Sequence, residues 1–122
     1  MRRFGLCVAF ALVVCLVLPA CGSKASMKLN KTTVAPGGTL TVTWTAPGSF
    51  QKNAWIVIIP SNIGHGSEAT NDQHDLAYQY LQGKKQGTFL FTVPKQKGSY
   101  DIRMHDTDSN GREVASVTFQ VK

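Results

Sequence analysis

The sequence predicts an all-β domain, built as a sandwich of short antiparallel strands. β-Branched and aromatic residues, which favour extended backbone, are spread over the chain after residue 26. Proline and glycine interrupt them about every 10 residues, the usual spacing of turns between short strands. No stretch keeps its apolar residues at the 3.6-residue period of an amphipathic helix, so no sustained helix is expected.

Seven segments have the composition of strands: 27–34, 39–45, 54–59, 76–81, 87–93, 99–105 and 113–121. In the second, Leu40, Val42 and Trp44 alternate with threonines, which is typical of a strand with one buried face. The third is apolar at every position, as expected for a central strand covered on both faces. The side chains expected in the core are Trp44, Phe89, Ile102, Met104, Val117 and Phe119.

The last two strands are expected to form a tight hairpin. Asn110-Gly111 is the preferred pair for a two-residue type I′ turn. Such a turn pairs the inward-facing residues as Met104 with Val117, Ile102 with Phe119 and Tyr100 with Val121. A loop with an odd number of residues would need a bulge to keep the apolar faces matched.

Seven short antiparallel strands at these spacings indicate an immunoglobulin-like β-sandwich without its disulfide. Tyr100, two residues after Gly98, is placed to form the tyrosine corner of such sandwiches, and a plain core tyrosine is the alternative.

Several fold-determining positions also carry a family resemblance. Val34-Ala35-Pro36-Gly37-Gly38, Val42-Thr43-Trp44, Ala54-Trp55-Ile56, Tyr100 and the segment from Gly111 through Phe119 resemble SKICH-type and related bacterial immunoglobulin-like modules. Those modules have Pro-Gly before the second strand and Trp-Ile on the third. The likeness covers most of residues 32–121. It implies a non-catalytic module that mediates localisation or partner binding.

The first 20 residues have the form of a secretory signal peptide. Arg2 and Arg3 precede an apolar stretch over 6–18, which is shorter than the roughly 20 residues of a membrane-spanning helix. Leu18-Pro19-Ala20-Cys21 then resembles the lipobox of bacterial lipoproteins. The resemblance implies that Cys21 is acylated and becomes the first mature residue, followed by a tether over 21–26 and the sandwich domain over 27–122.

The same resemblance implies that the protein is located in the bacterial cell envelope. Gly22 stands where an aspartate often retains lipoproteins at the inner membrane, so the outer membrane is favoured. Of the three cysteines only Cys21 remains after processing, which excludes an internal disulfide; a free thiol is the alternative to acylation.

The charge pattern argues against a nucleic-acid partner. After the signal segment, 11 basic and 7 acidic residues leave a net charge of +4, with no run of more than two lysines. No basic and aromatic stripe accompanies that charge. The expected partners are the membrane, through the lipid on Cys21, and another envelope protein or a glycan.

Residues 61–75 form a long connection that is rich in possible metal ligands. It carries His65, Glu68, Asp72, His74 and Asp75. Loops of this length inside a small domain are usually functional or disordered. Imidazole with carboxylate suits zinc and carboxylates alone suit calcium, but the spacing matches no established motif. Metal binding, partner contact and a plain solvated loop all stay open.

The hairpin tip over 106–111 offers a second set of oxygen ligands. Asp106, Asp108 and Asn110 alternate as in the opening of a calcium loop, although Val117 stands where an EF-hand has its glutamate. The two-residue turn would set Asp108 opposite Glu113, and like charges so placed are destabilising. Either the tip opens into a wider loop or a cation binds there.

The sequence offers little support for catalysis. Ser67 does not fit the Gly-x-Ser-x-Gly pattern. His105 is expected to be a surface histidine, and the alternative is that it approaches residues 61–75 where the ends of the sandwich meet. The leading hypothesis is therefore a lipid-anchored, non-enzymatic binding or structural module that needs no cofactor. The alternative is a calcium- or zinc-dependent ligand-binding domain that uses residues 61–75 and 106–111.

Overall fold

A computed structural model describes residues 24–122, and these residues form an all-β unit. The predicted signal segment over 1–20, Cys21 and the start of the tether lie outside the described residues. Within residues 24–122, no helix has the length and apolar character needed to cross a membrane.

Eight strands and one short helix make up the described part of the chain. They are β1 (Ser26–Leu29), β2 (Thr33–Val34), β3 (Thr39–Thr45), β4 (Trp55–Pro60), α1 (Glu68–Asp72), β5 (Ala77–Tyr80), β6 (Gln86–Thr92), β7 (Gly98–His105) and β8 (Glu113–Val121). The strands form a three-stranded sheet in the order β1-β3-β6 and a five-stranded sheet in the order β2-β8-β7-β4-β5. The inward side chains of both sheets belong to one hydrophobic core.

The segment predicted as one strand over 27–34 is two strands in different sheets. β1 pairs antiparallel with β3, whereas β2 pairs parallel with β8. Asn30 ends the first pairing, because its backbone N–H donates to Thr41 and its side-chain Oδ1 accepts from the backbone N–H of Thr41. Gln120 then donates to the carbonyl of Thr32, which joins the chain to the second sheet. The prediction of seven strands, all antiparallel, was therefore wrong in these two respects.

Strand β4 is buried on both faces, as its continuous apolar sequence predicted. Ile56 and Ile58 point into the core between the sheets. Trp55, Val57 and Ile59 form a second apolar cluster on the outer face, packed against Ile63. The cover on that outer face comes from residues 61–75 rather than from another sheet.

Most of the side chains predicted for the core are there. Trp44, Ile102, Met104 and Phe119 are fully buried, and Phe89 and Val117 are partly buried. Trp44 packs against Phe89 with ring centroids 5.2 Å apart. Its indole also lies over Gly87, where a Cβ would come within 2.8 Å of the ring, so this position requires glycine.

The β7–β8 hairpin is wider than predicted, and its register differs by two residues. Inward-facing residues still meet, but the pairs are Tyr100 with Phe119, Ile102 with Val117 and Met104 with Ala115. The connection is residues 106–112, here called the hairpin loop. It has an odd number of residues, and the matching bulge lies between Met104 and His105. Glu113 faces His105 rather than Asp108, so the predicted clash of like charges does not arise.

Side-chain contacts keep the hairpin loop open. Asp106 accepts a hydrogen bond from the backbone N–H of Arg112 through Oδ1, at 2.9 Å. Gly111 packs so close to Asp106 and Thr107 that a Cβ would collide with both. Asn110 adopts a positive φ of 57°, a conformation that asparagine tolerates better than most residues. A two-residue turn would exclude these contacts.

Tyr100 forms the corner contact that the sequence suggested. Its hydroxyl donates to the carbonyl of Gln96 at 2.8 Å, and its ring stacks on Phe119.

Candidate functional site

The polar residues of interest lie on the outer face of the five-stranded sheet, beneath residues 61–75, here called the covering segment. It contains α1, which the sequence did not predict. Ser67 caps that helix by accepting from the N–H of Thr70 at 3.2 Å, the usual role of serine at this position. The backbone of the segment is bonded to the hairpin, with Glu68 donating to Gly111 and Glu113 donating to Gly66. The segment is therefore folded against the sheet and is not a plain solvated loop.

Arg103 is the centre of a buried ion network under the covering segment. Its side chain is fully buried, and its guanidinium donates to Asp101 Oδ2 at 2.8 and 3.0 Å. It also donates to the carbonyls of Ile63 and Gly64 at 2.7 and 3.0 Å, and to the Oδ1 of Asn71 at 2.9 Å. A buried guanidinium with this many partners holds the covering segment on the sheet.

Two carboxylates balance this cation. Asp101 also accepts from the hydroxyls of Ser61 and Thr118, each at 2.8 Å. Burial by itself raises the pKa of Asp101, but the hydrogen bonds from Arg103, Ser61 and Thr118 outweigh it and lower the pKa overall. Glu113 lies 3.3 Å from Arg103, and its pKa is also lowered, because the bonds from His65 and Asn71 outweigh burial.

His65 closes the network at the surface. Its Nδ1 donates to Glu113 Oε2 at 2.5 Å, and its Nε2 accepts from Arg103 at 3.2 Å. The side chain is 56% exposed. His65 was predicted as a metal ligand, but both ring nitrogens are engaged by protein groups. We refer to Asp101, Arg103, Glu113, Asn71 and His65 as the ion network.

His105 is fully buried and contacts Asn71 of the covering segment, so the prediction of a surface histidine was wrong and the alternative, an approach to residues 61–75, is what the structure has. Its ring stacks on Trp55 with centroids 4.5 Å apart, and its Nε2 accepts from the amide of Asn71 at 2.7 Å. Burial lowers the pKa of His105 to about 4, which keeps it neutral at physiological pH.

A second group of charges lies where α1 meets the hairpin loop. Oxygen atoms of Glu68, Asp72 and Asp108 all lie within 4.8 Å of one another. We call these three residues the carboxylate cluster. Glu68 is buried, and its Oε1 accepts from the backbone N–H groups of Asn110 and Gly111 at 3.0 and 3.4 Å. Its Oε2 is buried and has no hydrogen-bond partner in the described part of the chain.

The cluster is electrostatically unbalanced. Within residues 24–122, none of the salt bridges reaches any of its three carboxylates. The pKa of Glu68 is raised, first by burial and then by its contact with Asp108. The pKa of Asp72 is raised by burial and by the charges of Asp108 and Asp75. Tyr80 donates to Asp108 Oδ2 at 2.6 Å, and this bond is the main reason that its pKa rises to about 12.

The structure brings together three of the eight predicted metal-binding residues. His74 donates through Nδ1 to the carbonyl of Thr70, and Asp106 is bonded within the hairpin loop. Asn110 contributes its backbone N–H to Glu68, and Asp75 lies outside the cluster. A joint site of imidazole and carboxylate, which would have suited zinc, is therefore not formed by these residues.

An exposed apolar surface on β5 and the residue before it adjoins the cluster. Leu76, Tyr78 and Tyr80 are 54%, 51% and 39% exposed, although side chains of this size are usually buried. Tyr78 packs edge-on against Trp55 and Tyr80, with ring centroids 6.1 and 5.6 Å away. The tyrosines are therefore held by packing on one side while a large part of each side chain faces solvent.

Sequence reasoning missed Asp101, Arg103 and Asn71. The available signal was the polar stripe Asp101, Arg103 and His105 at alternate positions of β7. Such a stripe normally marks a solvent-facing side, but β7 lies between β4 and β8, and β4 is apolar on both faces. A continuous apolar strand beside it indicates that the outer face is covered, and charges on a covered face must be paired.

Comparisons with known proteins give no further guide. No protein-family model matches the chain, and no curated protein matches its sequence.

Proposed function

We propose that this chain is a lipid-anchored, non-enzymatic binding module of the bacterial cell envelope. The observation that carries the proposal is the lipobox-like Leu18-Pro19-Ala20-Cys21, placed directly before a small folded unit whose first strand begins at Ser26. A thiol in this context is a site for several acyl chains, which together anchor a protein stably. The favoured location is the outer membrane.

We further propose that the fold is immunoglobulin-like and related to the SKICH-type bacterial modules. Support comes from the two sheets around one core, the tyrosine corner at Tyr100 and the Gly87–Trp44 packing. The N-terminal segment also crosses from one sheet to the other, because β1 pairs with β3 and β2 pairs with β8, and this crossing fits a sandwich of this kind.

The surface of Leu76, Tyr78 and Tyr80 is the proposed contact site for a partner. Exposed apolar patches with rigid aromatic residues mark interaction sites, and tyrosine is enriched among the residues that contribute most to protein interfaces. The partner that fits this chemistry best is another envelope protein. A glycan would use the same tyrosines by stacking and is the other outcome of the test.

The anchor is tested by Cys21→Ser in cells labelled with a radioactive fatty acid. We expect the wild-type chain to carry the label and to fractionate with membranes. The variant should lose the label and keep its signal segment. An intact free thiol at Cys21 in mature wild-type protein would refute the anchor.

The contact surface is tested by placing a photo-crosslinking amino acid at Tyr78 in the full chain, in living cells. The matched control places it at Thr88, which is also exposed on a strand but lies in the other sheet. We expect an adduct from position 78 that is sensitive to protease, and none from position 88. A protease-resistant adduct would identify a glycan instead, and equal adducts from both positions would contradict the proposed surface.

A further inference from the structure

We infer that the carboxylate cluster of Glu68, Asp72 and Asp108 binds a calcium ion. This inference does not depend on the lipid anchor, because all three residues lie in the folded unit. It assigns a site and a ligand where the proposed function assigns only a partner surface.

The first support is geometric. Glu68 and Asp72 lie four residues apart on α1, so they project from the same side of the helix. Asp108 approaches them from the hairpin loop, a separate part of the chain. Ligand atoms of all three lie within 4.8 Å of one another. Two calcium ligands, each about 2.3–2.6 Å from the ion, can be separated by up to about 5 Å, so this spacing fits a shared ion.

The second support is an unsatisfied buried atom. Glu68 is only 2% exposed, and its Oε2 has no hydrogen-bond partner among residues 24–122. A buried acceptor left unpaired is destabilising, so such atoms normally have a partner. Meanwhile Oε1 is fixed by two backbone N–H groups of the hairpin loop, which holds the carboxylate in place. A cation beside Oε2 would remove this cost.

The third support is the choice of side chains. No histidine belongs to the cluster, because His65 and His74 bond elsewhere. An all-oxygen set is typical of calcium rather than zinc. The three carboxylates come from a helix and a loop, with Tyr80 bonded to Asp108. Calcium accepts flexible arrangements of oxygen ligands, whereas magnesium demands a near-octahedral one, so calcium is the better candidate.

Binding of calcium here would join two parts of the chain. The ion would connect α1 to the hairpin loop, which now meet through Glu68 and the N–H groups of Asn110 and Gly111. Because Tyr80 belongs to both the exposed surface and the bonding of Asp108, occupancy of the site would also fix one edge of the proposed contact surface.

The test is calcium chloride titrated into the full chain, purified in detergent and freed of metal with a chelator. We expect one ion per chain by calorimetry, with a dissociation constant of about 10⁻⁴–10⁻³ M, as in other extracellular calcium modules. At about ten times that constant the melting temperature should rise by roughly 5–10 °C. Magnesium at the same concentration should give a clearly smaller rise.

Two neutral variants and a matched control locate the site. Asp72→Asn and Asp108→Asn should each abolish the binding heat and the thermal shift. Asp75→Asn makes the same chemical change just outside the cluster and should keep both. Because removing a like charge relieves repulsion, the metal-free form of Asp72→Asn should melt no lower than the metal-free wild type, which shows that it folds.

Three results would overturn the inference. One is the absence of a calcium response in the wild-type chain at about 10 mM, well above the expected dissociation constant. Another is a response that survives in both Asp72→Asn and Asp108→Asn. The third is its equal loss in Asp75→Asn. Cys21→Ser should respond like the wild type, so a failure of the anchor and a failure of the calcium site are distinguishable.

Discussion

The ion network and the carboxylate cluster lie on the same face of the same sheet, yet their charges are balanced in different ways. Both join the covering segment to the β7–β8 hairpin, and both contain buried carboxylate. In the network, Arg103 bonds directly to Asp101 and lies 3.3 Å from Glu113, and the pKa values of both acids are lowered. In the cluster the pKa values of Glu68 and Asp72 are raised.

This difference shows how position decides whether a protein supplies its own counter-ion. The middle of β7 can present a long arginine beneath the covering segment, where backbone carbonyls complete its hydrogen bonds. At the cluster three carboxylates and the hydroxyl of Tyr80 meet, and within residues 24–122 none of the salt bridges reaches these carboxylates. The first site is thus balanced as folded, whereas the second keeps an excess of carboxylates, which raises the pKa values of Glu68 and Asp72 further than burial alone.

The largest effect is expected from removing the cation of the network. Arg103→Met should lower the free energy of unfolding by about 3–5 kcal/mol, because it leaves Asp101 and Glu113 buried without their counter-charge. Urea denaturation measures this, with Arg112→Met, at an exposed position, as the control expected to change stability by no more than about 0.5 kcal/mol. Similar small losses in both variants would show that the network is not a balanced unit.

The second-largest effect is expected on acidification, because the unfolded chain protonates His105 more readily than the folded one does. Its folded pKa of about 4 lies below the unfolded value near 6.5, so the unfolded chain binds the proton first. Stability should therefore fall as the pH drops from about 6.5 to about 4, by about 3 kcal/mol in total. His105→Gln should flatten this part of the curve relative to the wild type, whereas His74→Gln, at an exposed position, should not.

The acids of the ion network and those of the carboxylate cluster should contribute to stability with opposite dependences on pH. Asp101 and Glu113, with lowered pKa values, contribute stability that is present above their unfolded pKa values and is lost as the pH falls through the folded ones. Glu68 and Asp72, with raised values, behave in the opposite way, since their contribution is lost as the pH rises. A urea midpoint that responds identically to pH in Asp101→Asn and Asp72→Asn would remove the distinction between the two groups.

The smallest effect concerns the cluster without metal. At pH 7 with a chelator, Asp72→Asn should raise the free energy of unfolding by less than about 1 kcal/mol, the range of exposed charge pairs. At pH 3, which lies below the raised pKa of Asp72, the same change should have little effect. With calcium present at pH 7 the sign should reverse, because the variant cannot gain the stabilisation that the ion gives the wild type.

The sequence predicted the strands well because alternation and turn residues are local signals. The alternation of Leu40, Val42 and Trp44 with threonines predicts which face of β3 is buried, whatever strands lie beside it. The hairpin register was not predictable in the same way. Asn110-Gly111 favours a two-residue turn locally, but Glu68, about 40 residues earlier in the chain, binds both N–H groups and holds the hairpin loop open.

The candidate site was predicted only in outline, for a similar reason. The eight proposed ligands included all three members of the carboxylate cluster, but spacing alone does not tell which acids converge. The burial of Arg103 and His105 depends on where the covering segment lies, and the sequence pattern of β7 does not reveal that. A short helix such as α1, capped by Ser67, is too brief to show a period.

The position of Ser26 has a consequence for the orientation of the molecule at a membrane. Ser26 pairs with Thr45, and loop 46–54 after it bonds to Lys85 on one side and to Asp106 on the other. The start of β1 and the hairpin loop therefore occupy the same end of the sandwich.

If Cys21 carries the lipid, five residues span at most about 18 Å, so this end faces the bilayer. An anionic surface at about −30 mV concentrates a divalent cation about tenfold, an enrichment that fades over about 8–10 Å. In that orientation Asp108 would lie on the side of the molecule where divalent cations are concentrated.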